Sequence, residues 1–257
     1  MLAGFEMAID SDGSVPWKWT NPQREEAAVL AYRLEYSFNK TNISNILSDI
    51  STNGTKTMEG WFPQVDRHVF ISHSHGDIDI ALKFAGWLRE EFSLSTFIDS
   101  CIWGDSAKLL KAVDNKFCYD AERGTYRYDD RNKSTSHVHA MLTASLIQMM
   151  DKCELVIFLN TPNSVPSTQE SMKATASPWI MAELNASRFL RRNPRRGIAM
   201  EGANKSRVTG AVNFTYELDT AHLITLSSEI LSEWVLNKAA SPSASMDELY
   251  KRVTKDK

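Results

Sequence analysis

The chain has 257 residues, of which 42% are hydrophobic, and its formal net charge is −3. This length fits one large domain or a compact domain with an extension, and the hydrophobic content is sufficient for a core. The slightly acidic balance argues against a protein that neutralises nucleic-acid backbones or coats anionic membranes. Cys101, Cys118 and Cys153 are far apart and form no CxxC pair, so a reduced, cytoplasmic setting without a cysteine zinc site fits best.

Residues 1–65 are expected to form an N-terminal extension, partly helical and partly flexible. A helix-like segment runs from Pro22 to Phe38, and a polar stretch rich in Ser, Thr, Asn and Gly follows from Thr41 to Thr57. Polar stretches of this kind are typical of links between structured segments. The main domain is therefore expected to begin at about residue 66.

From His68 onwards the pattern changes to alternating strands and helices. Val69–Ile71 is a short apolar run, and apolar side chains recur at helical spacing from Ile80 to Phe92. Thr96–Ile98 repeats the strand pattern and leads into a polar loop. The region from Asp114 to Lys133 is charged and aperiodic, which favours a surface insertion over a core element.

The second half of the chain continues the alternation. Leu155–Leu159 is apolar without alternation, as is typical of a parallel strand that is covered on both faces. Residues 241–257 are expected to form a tail or one short helix. This order predicts an α/β fold with a mostly parallel central sheet flanked by helices. The other predicted elements are a helical stripe from Val138 to Met149, a helix from Pro178 to Phe189, a strand from His222 to Leu226 and a helix from Ser228 to Leu236.

Polar loops follow three of the predicted strands. They contain Ser72 and His73 after the first strand, Asp99 and Ser100 after the second, and Asn163 after the strand that ends near Leu159. In open parallel sheets ligands bind at the carboxyl edge, so we expect these loops to build a site. No GxGxxG or GxxxxGK[ST] pattern follows any of the strands, and a dinucleotide fingerprint or a P-loop is therefore not supported.

Two His-x-His pairs raise the question of a metal. The first pair is His73 and His75, and the second is His137 and His139. Residues two apart on a helix point in different directions, so the second pair is poorly placed to chelate one ion, and no acidic third ligand is obvious. We expect no metal site.

Two stretches together resemble Toll/interleukin-1 receptor (TIR) domains. Val69–Leu88, continued by Phe97–Ser100, resembles the first strand, the first helix and the second-strand loop of the family. Ser177–Leu184 resembles a later helix, in which a tryptophan precedes the catalytic glutamate by four positions. The combination of FISHSH, FIDS-x-x-WG, STSHVH and FLNTPNS is similar to a group of bacterial TIR proteins that includes defence proteins. The resemblance covers residues 66 to about 236 and omits residues 1–65 and the charged insertion.

The resemblance implies a flavodoxin-like TIR domain over residues 66–240 that cleaves NAD into nicotinamide and an ADP-ribose product. In Thoeris-type anti-phage systems such products signal to a separate effector, and TIR domains self-associate. NAD is then the substrate, no cofactor is needed, and neither nucleic acid nor a membrane is an expected partner. By this resemblance Glu183 is the catalytic residue, and the implied substrate-binding residues are Phe70, Ser72, His73, Asp99, Ser100, Trp103, Asn163 and Trp179.

The residue types suit this chemistry. Cleavage of the nicotinamide–ribose bond passes through an oxocarbenium-like state, which a nearby carboxylate stabilises. Nicotinamide leaves as a neutral molecule, so it needs no general acid and a single carboxylate suffices. Ser177 is a good N-cap and Pro178 a good first helical residue, and Trp179 and Glu183, at i and i+4, share one face of the helix that follows.

Two alternative functions stay open at this stage. A non-catalytic TIR adaptor would keep the sheet without turnover, since a lone glutamate on an amphipathic helix is usually solvated. An enzyme similar to nucleoside deoxyribosyltransferases would use a related sheet and a carboxylate on other N-glycosides. The form of the ADP-ribose product and the trigger of activity are not indicated by the sequence.

Overall fold

A computed structural model describes residues 3–10, 12, 14–19, 23–34, 53–103, 106–166, 173–190 and 215–255. The chain divides into two compact units. The first comprises Met1–Ala31, Asp66–Ile98 and Met150–Lys257, and the second comprises Tyr32–Val65 and Asp99–Met149. The central sheet belongs to the first unit.

Strands and helices alternate along much of the described chain. In chain order they are β1 (Ala3–Ala8), α1 (23–34), α2 (Gly54–Trp61), β2 (Val69–Ser72), α3 (Ile78–Phe92), β3 (Thr96–Phe97), α4 (Asp99–Ile102), α5 (Ser106–Phe117), β4 (Tyr119–Asp120), β5 (Thr125–Tyr126), α6 (Tyr128–Lys152), β6 (Leu155–Asn160), β7 (Ala174–Thr175), α7 (Pro178–Phe189), β8 (Tyr216–Glu217), β9 (Ile224–Thr225), α8 (Ser228–Leu236) and α9 (Pro242–Lys255). A short 3₁₀ turn at His75–Asp77 lies between β2 and α3.

The first unit is built on a five-stranded parallel sheet with the order β3-β2-β6-β1-β9. The side chains of Leu155–Leu159 in β6 are buried on both faces of the sheet, as the unbroken apolar run predicted. If β2, β3 and β6 are numbered 1, 2 and 3 in chain order, their order across the sheet is 2-1-3, and the flavodoxin-like strand order begins in the same way. The predicted α/β class and the parallel sheet are confirmed.

The structure differs from the predicted N-terminal extension at β1. Ala3–Ala8 forms an interior strand that pairs with β6 along six residues and with β9 on its other side. A β-carbon at Gly4 would come within 2.7 Å of a Leu223 methyl group, so the glycine permits close approach at this point. The beginning of the chain therefore completes the sheet. Within the predicted helix Pro22–Phe38, residues 23–34 are helical, and 22 and 35–38 lie outside the described residues.

Aromatic side chains join α3 to the C-terminal helices in the core of the first unit. Trp234 of α8 stacks on Phe92 with ring centroids 3.8 Å apart and meets Trp87 edge-on. Its indole nitrogen donates to the Ser245 carbonyl oxygen at 2.7 Å, and Leu249 of α9 is fully buried. Residues 241–257 were expected to form a tail or short helix, but Pro242–Lys255 is a long helix that contributes to this core.

The second unit contains α2, α4, α5, the hairpin β4–β5 and most of α6. The region 114–133, expected to be a surface insertion, is mostly exposed and consists of the end of α5, the hairpin and the start of α6. The sequence pattern did not reveal these elements because the exposed side chains impose no apolar period. Gly124 has φ +62°, which permits the tight turn between the two short strands. A further difference is α4, a helical turn where a polar loop was expected at Asp99.

Within the described residues, none of the helices has the length and apolar character that crossing a membrane requires.

Candidate functional site

The carboxyl ends of β2 and β6 lie side by side in the first unit. The two strands are paired in parallel, with Ser72 opposite Phe158, and both are followed by polar loops. From β2 the chain proceeds to β3 on one side of the sheet and then returns to β6 on the other. This reversal makes the β2–β6 boundary the topological switch point, and ligands of open α/β sheets bind in the crevice at such a point.

Helix α7 carries Glu183 and has a well-defined start. Ser177 is the N-cap, its hydroxyl oxygen accepts a hydrogen bond from the Ile180 amide, and Pro178 is the first helical residue. The apolar face of the helix packs in a cluster that includes Ile180, Leu184 and Phe158 of β6. The cap and the cluster together fix how the helix lies against the sheet.

Glu183 meets Ser72 at the end of β2. The Ser72 hydroxyl donates a hydrogen bond to Glu183 Oε2 at 2.5 Å, and the two residues are 1% and 5% exposed. A buried carboxylate needs such donors because it is otherwise costly to remove from water. Two residues that are 111 positions apart in the chain are thus brought together, and the carboxylate faces the β2 loop. His73, the next residue in this loop, is also largely buried, and Trp179 is half-buried one turn before Glu183.

A second polar cluster joins the loops after β2 and β6. Asp77 is 3% exposed and accepts hydrogen bonds from the Thr161 hydroxyl at 2.5 Å and from Asn163 Nδ2 at 2.7 Å. Asp77 was not among the predicted site residues, and aspartate is a common N-cap residue at the start of a helix. It does hold the N-cap position of α3, but its side chain makes no capping hydrogen bond.

A third polar group surrounds Glu6 of β1. Its Oε1 atom accepts from Asn160 Nδ2 at 2.6 Å and from Lys173 Nζ at 2.5 Å, and the residue is 8% exposed. This arrangement satisfies a carboxylate that lies within the sheet, and no motif in the sequence pointed to it. Its role is to hold the end of β6 and the segment before β7 against β1.

The substrate contact at Phe70 stays a prediction, and the structure gives this residue a core position. Phe70 lies inside β2, is 1% exposed, and stacks on Phe97 of β3 with ring centroids 5.3 Å apart. Its place in the apolar run Val69–Ile71 is consistent with this packing role.

Asp99, Ser100 and Trp103 belong to the second unit. Trp103 is 1% exposed, its indole nitrogen donates to the Pro63 carbonyl oxygen at 2.9 Å, and its ring meets Phe62 edge-on. It is a core residue of that unit with a packing role, and its ligand contact stays a prediction. Asp99 and Ser100 are half-buried in α4.

The second unit also has a surface depression of about 430 Å³ along the hairpin and the start of α6. Acidic and basic side chains line it in mixture, and some are paired, as in the ion pair between Arg127 and Asp130. None of the predicted site residues lines this depression. Among the described residues, no three His, Cys, Asp or Glu side chains are grouped as metal ligands would be.

The residues that the structure brings together are therefore Ser72 with Glu183, and Asn163 with Asp77. They define an α/β protein with a buried, serine-held carboxylate at the switch point of a parallel sheet. Comparisons with models of known protein families, with curated proteins and with solved structures gave no match for this chain.

Proposed function

We propose that this chain is a TIR-type enzyme that cleaves the nicotinamide–ribose bond of NAD, with Glu183 as its catalytic residue. The single observation that carries the proposal is the buried hydrogen bond between Ser72 and Glu183 at the switch point. A carboxylate that is held in this way is preorganised, and preorganised charges stabilise a developing oxocarbenium ion more effectively than mobile ones.

The chemistry requires little else from the protein. The C–N bond to nicotinamide breaks, its electron pair stays on the pyridine nitrogen, and the leaving group departs neutral. The positive charge develops on the ribose, where the Glu183 carboxylate opposes it. Water then gives linear ADP-ribose, and an internal nucleophile gives a cyclic isomer. Anti-phage signalling to a separate effector and self-association belong to the same proposal, through the resemblance to TIR domains.

The test is incubation of the purified chain with NAD at several protein concentrations, followed by chromatography and mass spectrometry of the products. Release of nicotinamide with an ADP-ribose species supports the proposal. Intact NAD at every concentration contradicts it and favours the adaptor. A parallel incubation with nucleosides and deoxynucleosides tests the deoxyribosyltransferase-like alternative, for which the same buried carboxylate is suitable.

A further inference from the structure

Asp77 connects the two loops at the switch point. Its Oδ2 atom accepts from Thr161 and its Oδ1 atom accepts from Asn163, although both partners lie more than eighty residues further along the chain. The side chain does not cap α3. A buried carboxylate in this position therefore acts on the β6 loop and not on its own helix.

The Asp77 carboxylate determines which way the Asn163 amide points. An asparagine side chain has a donor end, Nδ2, and an acceptor end, Oδ1, and the two ends are distinguished by their partners. Carboxylate oxygens accept hydrogen bonds, so the Nδ2 end faces Asp77. The Oδ1 end then points away from Asp77, on a residue that is solvent-exposed, and it accepts no hydrogen bond within the described part of the chain.

The loop that carries Asn163 is held by hydrogen bonds between its own residues. The Thr161 amide donates to the Ser164 hydroxyl at 2.8 Å, and the Ser164 amide donates to the Thr161 hydroxyl at 3.0 Å. Both residues are buried. A β-carbon at Gly76 would lie 3.3 Å from Asn163 Nδ2, a close contact that the glycine avoids. The loop is therefore held in place, and the amide is held in one orientation.

We propose that Asp77 is a positioning residue, which orients Asn163 so that Oδ1 presents a hydrogen-bond acceptor to the substrate. This inference rests on the proposed function and specifies the ligand chemistry of the same site: the β6 loop recognises a hydrogen-bond donor, either a hydroxyl or an amide N–H. NAD offers both, in its ribose hydroxyls and in the nicotinamide carboxamide.

The test begins with Asp77→Asn, which preserves the shape of the side chain. When the Thr161 hydroxyl keeps its present direction and donates to residue 77, the new asparagine accepts through Oδ1 and turns its amino group towards Asn163. The Asn163 amide must then reverse, so that a donor replaces the acceptor that faces the substrate. We expect KM for NAD to rise about tenfold, the effect of one hydrogen bond, with kcat within about twofold of wild type.

Two further variants separate orientation from simple loosening of the loop. In the double variant Asp77→Asn/Asn163→Asp, the donor and acceptor are exchanged and an acceptor again faces outward, so KM returns to within about threefold of wild type. Thr161→Val removes a buried donor to Asp77 and the acceptor of the Ser164 amide but leaves the Asp77–Asn163 bond, so it lowers the free energy of unfolding and raises KM by much less than Asp77→Asn does.

The outcomes distinguish this inference from the proposed function. If wild type cleaves NAD but Asp77→Asn leaves KM unchanged, or if Thr161→Val raises KM equally, the positioning role is wrong and the proposed function stands. If the double variant fails to recover, the orientation argument is wrong. Absence of cleavage by wild type overturns the proposed function, and the inference with it. Nicotinic acid adenine dinucleotide, which lacks the carboxamide N–H, identifies the donor that Asn163 binds. If KM of wild type is higher for this substrate than for NAD, the donor is the carboxamide; if the two KM values are equal, the donor is a ribose hydroxyl.

Discussion

Substitution of Ser72 by alanine tests whether its hydroxyl positions Glu183 for catalysis or only stabilises the fold. The Ser72 hydroxyl is buried and donates to Glu183 Oε2 at 2.5 Å. A hydrogen bond to a charged group contributes about 1.5–3 kcal/mol to stability, so Ser72→Ala should lower the free energy of unfolding by about that amount. If the same bond holds the carboxylate for catalysis, kcat/KM for NAD falls by about 10- to 150-fold.

The matched control is Ser187→Ala on the same helix as Glu183. Ser187 is 1% exposed, contacts the His222 ring at 2.6 Å and donates to the Leu184 carbonyl oxygen. Its loss should cost similar stability while kcat/KM stays within about twofold of wild type. Unfolding is measured with urea, and turnover by nicotinamide release in the same buffer. Wild-type kcat/KM in folded Ser72→Ala would refute the positioning argument, and equal losses in the two variants would assign the effect to stability alone.

Two further predictions concern the fold. Gly86→Ala should destabilise the first unit by about 1–3 kcal/mol, because the new β-carbon would lie 2.7 Å from the Ala28 β-carbon, and overpacking outweighs the gain of about 1 kcal/mol in helix propensity. Urea denaturation measures the change, and Gly54→Ala is the control, because a β-carbon there meets no other atom. Equal stability of the two variants would contradict the prediction. Burial, with a smaller effect of Arg67, lowers the pKa of His68, whose Nδ1 accepts from the Ser95 amide, so the folded state binds fewer protons than the unfolded state. The contribution of His68 to the free energy of unfolding is therefore complete above pH 6.5 and decreases as the pH is lowered below that value. Urea titrations at a series of pH values should show this decrease in wild type and not in His68→Gln. A decrease of equal size in both proteins would refute the prediction.

The sequence could predict elements whose apolar pattern decides their structure. The parallel strand β6, the amphipathic helix α3 and the capped helix α7 agree with their predicted bounds within two residues. In each of these the local signals, an unbroken apolar run, a helical stripe or a Ser-Pro start, agree with the tertiary environment.

The strand β1 shows where this reasoning fails. Ala3–Ala8 has no β-branched residue and contains a glutamate, so strand propensity is low. The strand forms because β6 and β9 supply backbone partners on both sides and because Asn160 and Lys173 satisfy the buried Glu6. These partners are more than 150 residues away, and no local pattern reveals them.

The candidate site, like the fold, could be predicted only in part. Ser72 and Glu183 could be paired because one ends a strand and the other stands at a recognisable helix position. Asp77 could not be assigned, because its partners Thr161 and Asn163 are determined by how the β2 and β6 loops meet. The packing of Trp103 could not be predicted for a related reason, since its hydrogen bond to Pro63 depends on contacts within the second unit.

The central claim is tested most directly by NAD cleavage in Glu183→Gln, with Glu229→Gln as the control. The first change keeps the shape of the side chain and removes the charge that opposes the ribose cation, and the second removes an exposed carboxylate at the start of α8. We expect Glu183→Gln to fold and to lose turnover by about two orders of magnitude or more, since one preorganised electrostatic contact contributes about 3–4 kcal/mol to the barrier, while Glu229→Gln keeps wild-type turnover. Near-normal NAD cleavage by folded Glu183→Gln would contradict the catalytic role of this carboxylate.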